Sequence, residues 1–353
     1  MSQGELSGLL LVDKPQGPTS HDLVRAVRKI SGQRGVGHVG ALDPLATGLM
    51  GLLLGPATRL APYLSGHDKA YLATVALGLA TDTDDVTGKT LAQWAGPWPS
   101  QAAVESALAS FLGPHGQRPP DFSAKKVGGQ VAHERARAGR PLTLAPQMVE
   151  AFELTLLAWD PPTAVFRATV SAGFYVRSLA RDLGLALSLG GGALQKLRRD
   201  RIGEFVLAPG QGLPETRAEL AARLLTPREA LSSWPEVEVT ASQAQTIAHG
   251  GGINLPAWPL GVSPAVASTP SQERAAASLG PIPPLDESFG ESLGEASLSP
   301  SPRPLAKWAG LVKIIEPHGQ LLAIGRLEPR QGRGQPPGPF LRPSRVFRSP
   351  KSD

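Results

Sequence analysis

The chain has no cysteine in its 353 residues. That excludes a disulfide framework, a thiolate metal site and a cysteine nucleophile. Aromatic residues are scarce at 5 %, so each one beside a motif carries weight. Long apolar runs are missing too: no window reaches the roughly 18 apolar residues of a membrane span. The opening segment lacks the basic start and the long apolar stretch of a signal peptide, its apolar run covering only Leu9 to Val12. A soluble, cytoplasmic protein is expected. What is present suits a globular chain: 41 % hydrophobic residues, enough for a sizeable core, over a length that suggests two domains.

Charge is uneven. The net charge is +5, yet residues 261–304 hold five acidic and two basic residues, a balance of −3, so the remainder carries 5 − (−3) = +8. A basic remainder fits a polyanionic partner, although high arginine content alone does not require one. The same segment has 17 Pro or Ser in 44 residues and one aromatic. It cannot bury enough apolar surface to offset its ordering entropy, and a disordered insertion is expected there.

Periodicity predicts a short strand at Leu9 to Val12, then a helix over about 21–30 capped by Ser20. Its apolar face carries Leu23, Val27 and Ile30, its basic face Arg25, Arg28 and Lys29. A glycine-rich loop is expected from Gly32 to Gly40, a short helix over 56–64 and a strand over 69–80. Ser100 caps a helix ended by Gly113-Pro114, and 114–147 is read as a basic loop with a short helix near 131–138. Strands follow at 150–158 and 164–172, a helix at 175–189, and a final strand at 203–207. After Pro235, Thr240 and Gln243 form a capping box, with strands at 311–315, 321–327 and 345–347. Strands and helices without a regular βαβ repeat predict an α+β fold. The tail after Arg330 is expected to be mobile except around Val346-Phe347.

Gly35-Val36-Gly37-His38-Val39-Gly40 satisfies the dinucleotide fingerprint G-x-G-x-x-G. The fingerprint needs a strand before it and a helix after it. Here a basic amphipathic helix precedes, and Pro44 follows four residues later, so that reading fails. Continued to Gly48, the stretch reads G-V-G-H-V-G-A-L-D-P-L-A-T-G. It resembles the signature loop of the TruB-type tRNA pseudouridine synthases, G-H-x-G-x-L-D-P-x-A-x-G. Further matches follow in order: Lys14-Pro15-x-Gly17-x-Thr19-Ser20, Lys69-Ala70-Tyr71, Thr81-Asp82-Thr83-x-Asp85-x-x-Gly88, Gly173-Phe174-Tyr175-Val176-Arg177, and Leu197-Arg198-Arg199 with Gly203 and Phe205. The resemblance covers 7–207 strongly. Beyond it, Leu311 to Arg330 resembles the family's PUA-type RNA-binding module weakly.

The resemblance implies a catalytic domain at 1–234 on a curved mixed β-sheet flanked by helices, with 114–147 as an RNA-clasping insertion. It implies a small PUA-like β domain at 235–353, interrupted at 261–304. It implies isomerisation of a uridine in the T loop of tRNA, uridine-55, by a monomer. Asp43 is then the catalytic carboxylate, presented from an extended loop because Pro44 disfavours helix; read alone, Asp before Pro also fits a turn. Tyr71 stacks on the extruded uracil, although its alternating strand equally fits a core tyrosine. Arg177 pairs with Asp43, although a solvated arginine at a helix start has the same local pattern. His38 fills the space left by the flipped base, Leu197 lines the uracil pocket, and Lys69 and Tyr175 complete the substrate site. Lys14, Arg118, Lys125, Lys126, Arg135 and Arg181 are candidate RNA contacts.

The isomerisation moves no electrons overall, so no cofactor is expected. No metal is expected either: His38 has no partner at ligand spacing, and Asp82–Asp85 fails as a calcium loop because Val86 and Thr87 fall where an oxygen donor and a glycine are needed. Two rivals remain: an RNA-binding or RNA-folding protein without turnover, and a synthase acting on another RNA.

Overall fold

The computed structural model describes residues 4–123, 126–127, 130–137, 140, 142, 144–259, 310–329 and 339–347. The expected insertion at 261–304 and Lys125 lie outside the described residues. A nine-stranded mixed sheet organises the larger part of the chain. Its strands run in the order Gly8–Lys14, Thr47–Leu54, Gly192–Ile202, Lys69–Leu77, Thr163–Val170, Gln147–Asp160 and Gly113–Gln117. Val36–Val39 pairs with Thr47–Leu54, and Phe205–Val206 with Gly192–Ile202. The sheet is mixed because Gly192–Ile202 joins Thr47–Leu54 in parallel and Lys69–Leu77 antiparallel.

The central strands read as apolar because both of their faces are covered. In Lys69–Leu77 eight of nine residues are buried. Tyr71, Ala73, Val75 and Leu77 join one core cluster with Phe166, Leu179 and Leu183, which seats the helix Val176–Ala186 on the sheet. The first helix, Ser20–Ser31, buries Leu23, Val24 and Val27 on the strands Gly8–Lys14 and Thr47–Leu54. It is capped by Thr19, one residue earlier than expected. Thr19 and Asp22 form a reciprocal capping box, with Asp22 N to Thr19 Oγ1 at 3.1 Å and Thr19 N to Asp22 Oδ2 at 2.8 Å. Ser20 is freed from capping and buried.

Other departures share one cause, pairing between distant segments that local periodicity does not reveal. The stretch Gly32 to Gly40 is not all loop: Val36–Val39 is a strand, held by antiparallel pairing with Gly51 to Leu54. The apolar run Thr47–Leu54 is a buried strand that no periodicity announces. Gly192–Ile202 makes the Leu-Arg-Arg stretch part of an eleven-residue strand. The helix Gln101–Ala109 stops before Gly113-Pro114, which instead open an edge strand. The strand expected at 345–347 runs over Pro339–Val346.

A second, five-stranded sheet comprises Glu236–Glu238, Leu311–Ile315, Leu321–Pro329, Pro339–Val346 and Ile253–Asn254 in that order. The helix Ala241–Ala248 opens with the capping box of Thr240 and Gln243. Leu311, Ile315, Leu321 and Ile324 from this sheet, with Phe347 just after it, share a buried cluster with Leu9, Leu49, Leu53 and Leu60 of the larger part. The two sheets are therefore joined by apolar contact.

Candidate active site

Residues 40–46 link the strands Val36–Val39 and Thr47–Leu54, and they carry Asp43. A loop has few internal hydrogen bonds, so its backbone groups must be satisfied from outside. Three buried side chains do this. Ser20 Oγ donates to Leu42 O at 3.0 Å and accepts from Leu42 N at 2.8 Å. Arg199, only 1 % exposed, donates to Gly40 O at 3.1 Å, Ala41 O at 3.4 Å and Leu49 O at 2.8 Å. Lys14 Nζ donates to Ala46 O at 2.7 Å, Pro44 O at 3.3 Å and Pro15 O at 3.0 Å. Just past the loop, Gly48 at the start of the strand Thr47–Leu54 has φ 99°, and a Cβ there would stand 2.3 Å from Arg199 O, so only glycine fits.

The carboxylate itself is held from a fourth direction. Arg177 opens the helix Val176–Ala186. Its Nε lies 2.8 Å from Asp43 Oδ2 and its Nη2 3.3 Å from Oδ1, a two-point pairing. The same guanidinium donates to Thr83 O at 2.9 Å and Phe122 O at 3.0 Å. Asp85 Oδ2 stands 3.9 Å away. The arginine side chain is 6 % exposed, while that of Asp43 is 40 % exposed. One face of an oriented carboxylate thus remains open to solvent.

Tyr71 and Leu197 are both 8 % exposed and share a cluster with Leu42, which precedes the aspartate, and with Leu45. Tyr71 lies on Lys69–Leu77, opposite Arg199 in one register and Ala168 in the other. Tyr175 caps the arginine helix. Burial pushes its phenol above the usual tyrosine range, with a hydrogen bond from Ser123 opposing. His38 is half-buried, and its Nδ1 is buried without a partner among the described residues. Burial, then the nearby Arg199 and His21 charges, hold its pKa below the usual histidine value, so the ring is neutral at pH 7 and suited to packing.

The structure thus brings together Asp43, Tyr71, Arg177, Tyr175 and Leu197, with His38 at the base of the loop. It places the remaining expected residues differently. Lys14 is fully buried, and its ammonium faces loop carbonyls in place of solvent, so it does not reach RNA in this conformation. Burial lowers its pKa. Lys69 is buried, donating to Ser65 O at 2.7 Å and His67 O at 2.6 Å beneath Gly40. Arg181 is engaged by Asp84 at 2.8 Å and Asp182 at 2.9 Å. Arg118 is exposed and pairs with Asp121 at 3.0 Å. Lys126 lies on the short strand Lys126–Val127 and Arg135 on the helix Ala132–Arg137.

Sequence reasoning misses the side chains that fasten the loop. Arg199 shows in the sequence only as part of a Leu-Arg-Arg stretch. The signal that could have found it is a period of two: along Gly192–Ile202, Leu197, Arg199 and Arg201 are buried, while Lys196 is exposed and Arg198 and Asp200 are partly exposed. Gln117 is missed as well. It is 3 % exposed, and its amide accepts from Tyr175 N at 2.8 Å and donates to Tyr175 O at 3.1 Å. It ties the root of the 114–147 segment to the arginine helix.

The profile described as TruB family pseudouridylate synthase (N terminal domain) matches residues 28–176. A tRNA pseudouridine synthase B of Parasynechococcus marenigrum (strain WH8102) is 43 % identical over 256 residues, covering 71 % of this chain and 86 % of the relative. One from Thermobifida fusca (strain YX) is 41 % identical over 255 residues, covering 70 % and 86 %. Among solved structures, a chain of a Cbf5-Nop10-Gar1 complex superposes with a TM-score of 0.61 at 22 % identity, covering 97 % of this chain and 85 % of that one. A chain of an H/ACA RNP bound to a substrate RNA containing 2'-deoxyuridine gives 0.59 at 21 %, with the same coverage. These two share the α+β fold. By its identity to relatives that it covers over most of their length, the chain belongs to the TruB family of pseudouridylate synthases.

Proposed function

We propose that this chain isomerises a uridine of tRNA to pseudouridine, and that the target is uridine-55 in the T loop. The reading rests above all on Asp43, an open carboxylate held at two points by a buried arginine. The reaction breaks the bond from ribose to the base nitrogen, turns the uracil and joins carbon 5 to the ribose. Carbon 5 gives its hydrogen to water as a proton, and the freed nitrogen gains one, so no redox partner is needed. A carboxylate serves this chemistry as a nucleophile on base or sugar, or as the base that starts glycosidic elimination. Arg177 keeps it aimed through the paired hydrogen bonds. Tyr71 supplies a stacking face for the uracil, and Leu197 an apolar wall.

A stacked uridine must leave its loop first, at a cost of a few kcal/mol. Segment 114–147, with Arg118, Lys125, Lys126 and Arg135, is suited to hold the RNA while that happens. We further read 1–234 as the catalytic domain and 235–353 as a PUA-like RNA-binding domain, in a monomer acting in the cytoplasm. A protein that only bound RNA would have no use for an arginine clamped on an open carboxylate.

The test uses a tRNA transcript carrying tritium at carbon 5 of uridine. One equivalent released to water per RNA, and none with Asp43→Ala, is the expected result. No release from folded protein and folded RNA would overturn the reading.

A further inference from the structure

The first helix presents a basic face that the chemistry at Asp43 does not use. His21, Arg25, Arg28 and Lys29 are all exposed, and they recur at i, i+4, i+7 and i+8, one face of a helix. The opposite face holds the buried Ser20, Leu23, Val24, Val27 and Ser31. Arg34, also exposed, follows the helix end. Within 20–34 the sequence has four Lys or Arg against one carboxylate, Asp22. That carboxylate is committed to the Thr19 capping box and to Arg25. From the neighbouring helix Arg217–Ala222, Glu219 is turned to Arg223 at 3.0 Å and Arg217 donates to Gly4 O. Among the described residues, only Arg25 of the stripe, paired with Asp22, meets a carboxylate, and Arg28, Lys29 and Arg34 form no ion pair.

Its position gives the stripe meaning. Ser20, directly before His21, holds Leu42, directly before Asp43. His21 is near enough to His38 to act on its charge. Twelve residues at 1.5 Å each make the helix about 18 Å long, so the stripe starts beside the catalytic loop and leads away from it. An RNA that inserts a base at Asp43 has its flanking phosphates within that distance. Cations in a row attract a polyanion regardless of sequence, by releasing its counterions.

We propose that the exposed face of Ser20–Ser31, extended by Arg34, is a docking surface for the phosphate backbone of the substrate RNA, separate from segment 114–147. The proposal rests on the reading that RNA enters at Asp43. It assigns the helix to grip and register, with no part in the bond changes.

Two double variants test it, R25Q/K29Q and K29Q/R34Q, in the full chain. Arg28 is left alone because it donates to Val36 O at 3.1 Å. Each variant is titrated with an unlabelled tRNA transcript at several salt concentrations. The expected result is a dissociation constant raised about tenfold at low salt. The log–log salt slope should fall by about 1 to 2, roughly one per lost phosphate contact. Unchanged affinity and slope in both variants, with unchanged thermal melting, would overturn the proposal. Tritium release by the parent chain is measured in parallel. Release with unaffected variant binding sinks the helix surface and leaves the catalytic reading standing. No release, with weakened variant binding, sinks the catalytic reading and leaves the surface.

Discussion

The two sheets of this protein treat buried charge differently. Among the described residues, the nine-stranded sheet and its connections bury Lys14, Asp68, Lys69, Asp85, Arg177, Arg199 and Arg201, whereas the five-stranded sheet buries only Lys313. Lys313 meets Glu236 at 3.1 Å, an ordinary ion pair. Lys14, Lys69 and Arg199 instead direct donors at backbone carbonyls of loops. Removing a cation from water is costly, and a small aliphatic sheet has no need of it. A loop that must hold one carboxylate in one place does, because a loop cannot hold its own backbone. The buried cations mark the part of the molecule where loops, that of Asp43 among them, are fastened from outside.

Breaking each region in turn sharpens the contrast. The largest effect is expected from Asp43→Asn, with tritium release falling by about three orders of magnitude or more and RNA affinity staying within a few-fold. An equal loss of binding would mean the carboxylate serves structure. Arg177→Lys keeps the charge but loses the two-point geometry, and a fall of about 100-fold in kcat is expected, read under single-turnover conditions. Arg199→Met leaves three carbonyls without their donor. It should cost roughly 3 kcal/mol in urea unfolding and lower kcat as well. Lys313→Met, the matched change in the other sheet, leaves Glu236 its bond to Arg228. It should cost about 1 kcal/mol and leave kcat within twofold. Similar effects from these last two would erase the distinction between the sheets.

The smallest effect concerns pH. His38 and His67 both have pKa values lowered chiefly by burial. The unfolded chain then binds more protons than the folded one below the ordinary value of 6.5. Stability from these rings is complete above that pH and is lost as pH falls through it. His67→Gln should flatten the decline in melting temperature between pH 7 and 5.5. An unchanged slope would show that other groups carry it.

Much of the architecture is legible because it depends on local pattern. The capping box at Thr240 and the amphipathic helices at Ser20–Ser31 and Val176–Ala186 follow from spacing alone. The strand Thr47–Leu54 is not, because a short apolar run has no periodicity to separate strand from buried helix. The cap of the first helix falls at Thr19, one residue from its expected place, because two hydroxyls stand side by side and Asp22 chooses between them. Of the candidate site, Asp43, Tyr71, Arg177 and Leu197 are named by the order of short motifs, and the structure sets them near one another. Lys14 reads as a surface cation because a sequence does not say which way an ammonium points.

The sequence by itself determined the α+β class, the basic face of the first helix and the residue types at the candidate site, since these rest on composition, spacing and motif order. Only the tertiary structure decided which of those residues meet. Arg177 and Asp43 lie 134 positions apart, and Arg199 reaches Gly40 across 159. Such contacts depend on strand order and register, and a one-residue slip would turn each side chain to the other face of the sheet.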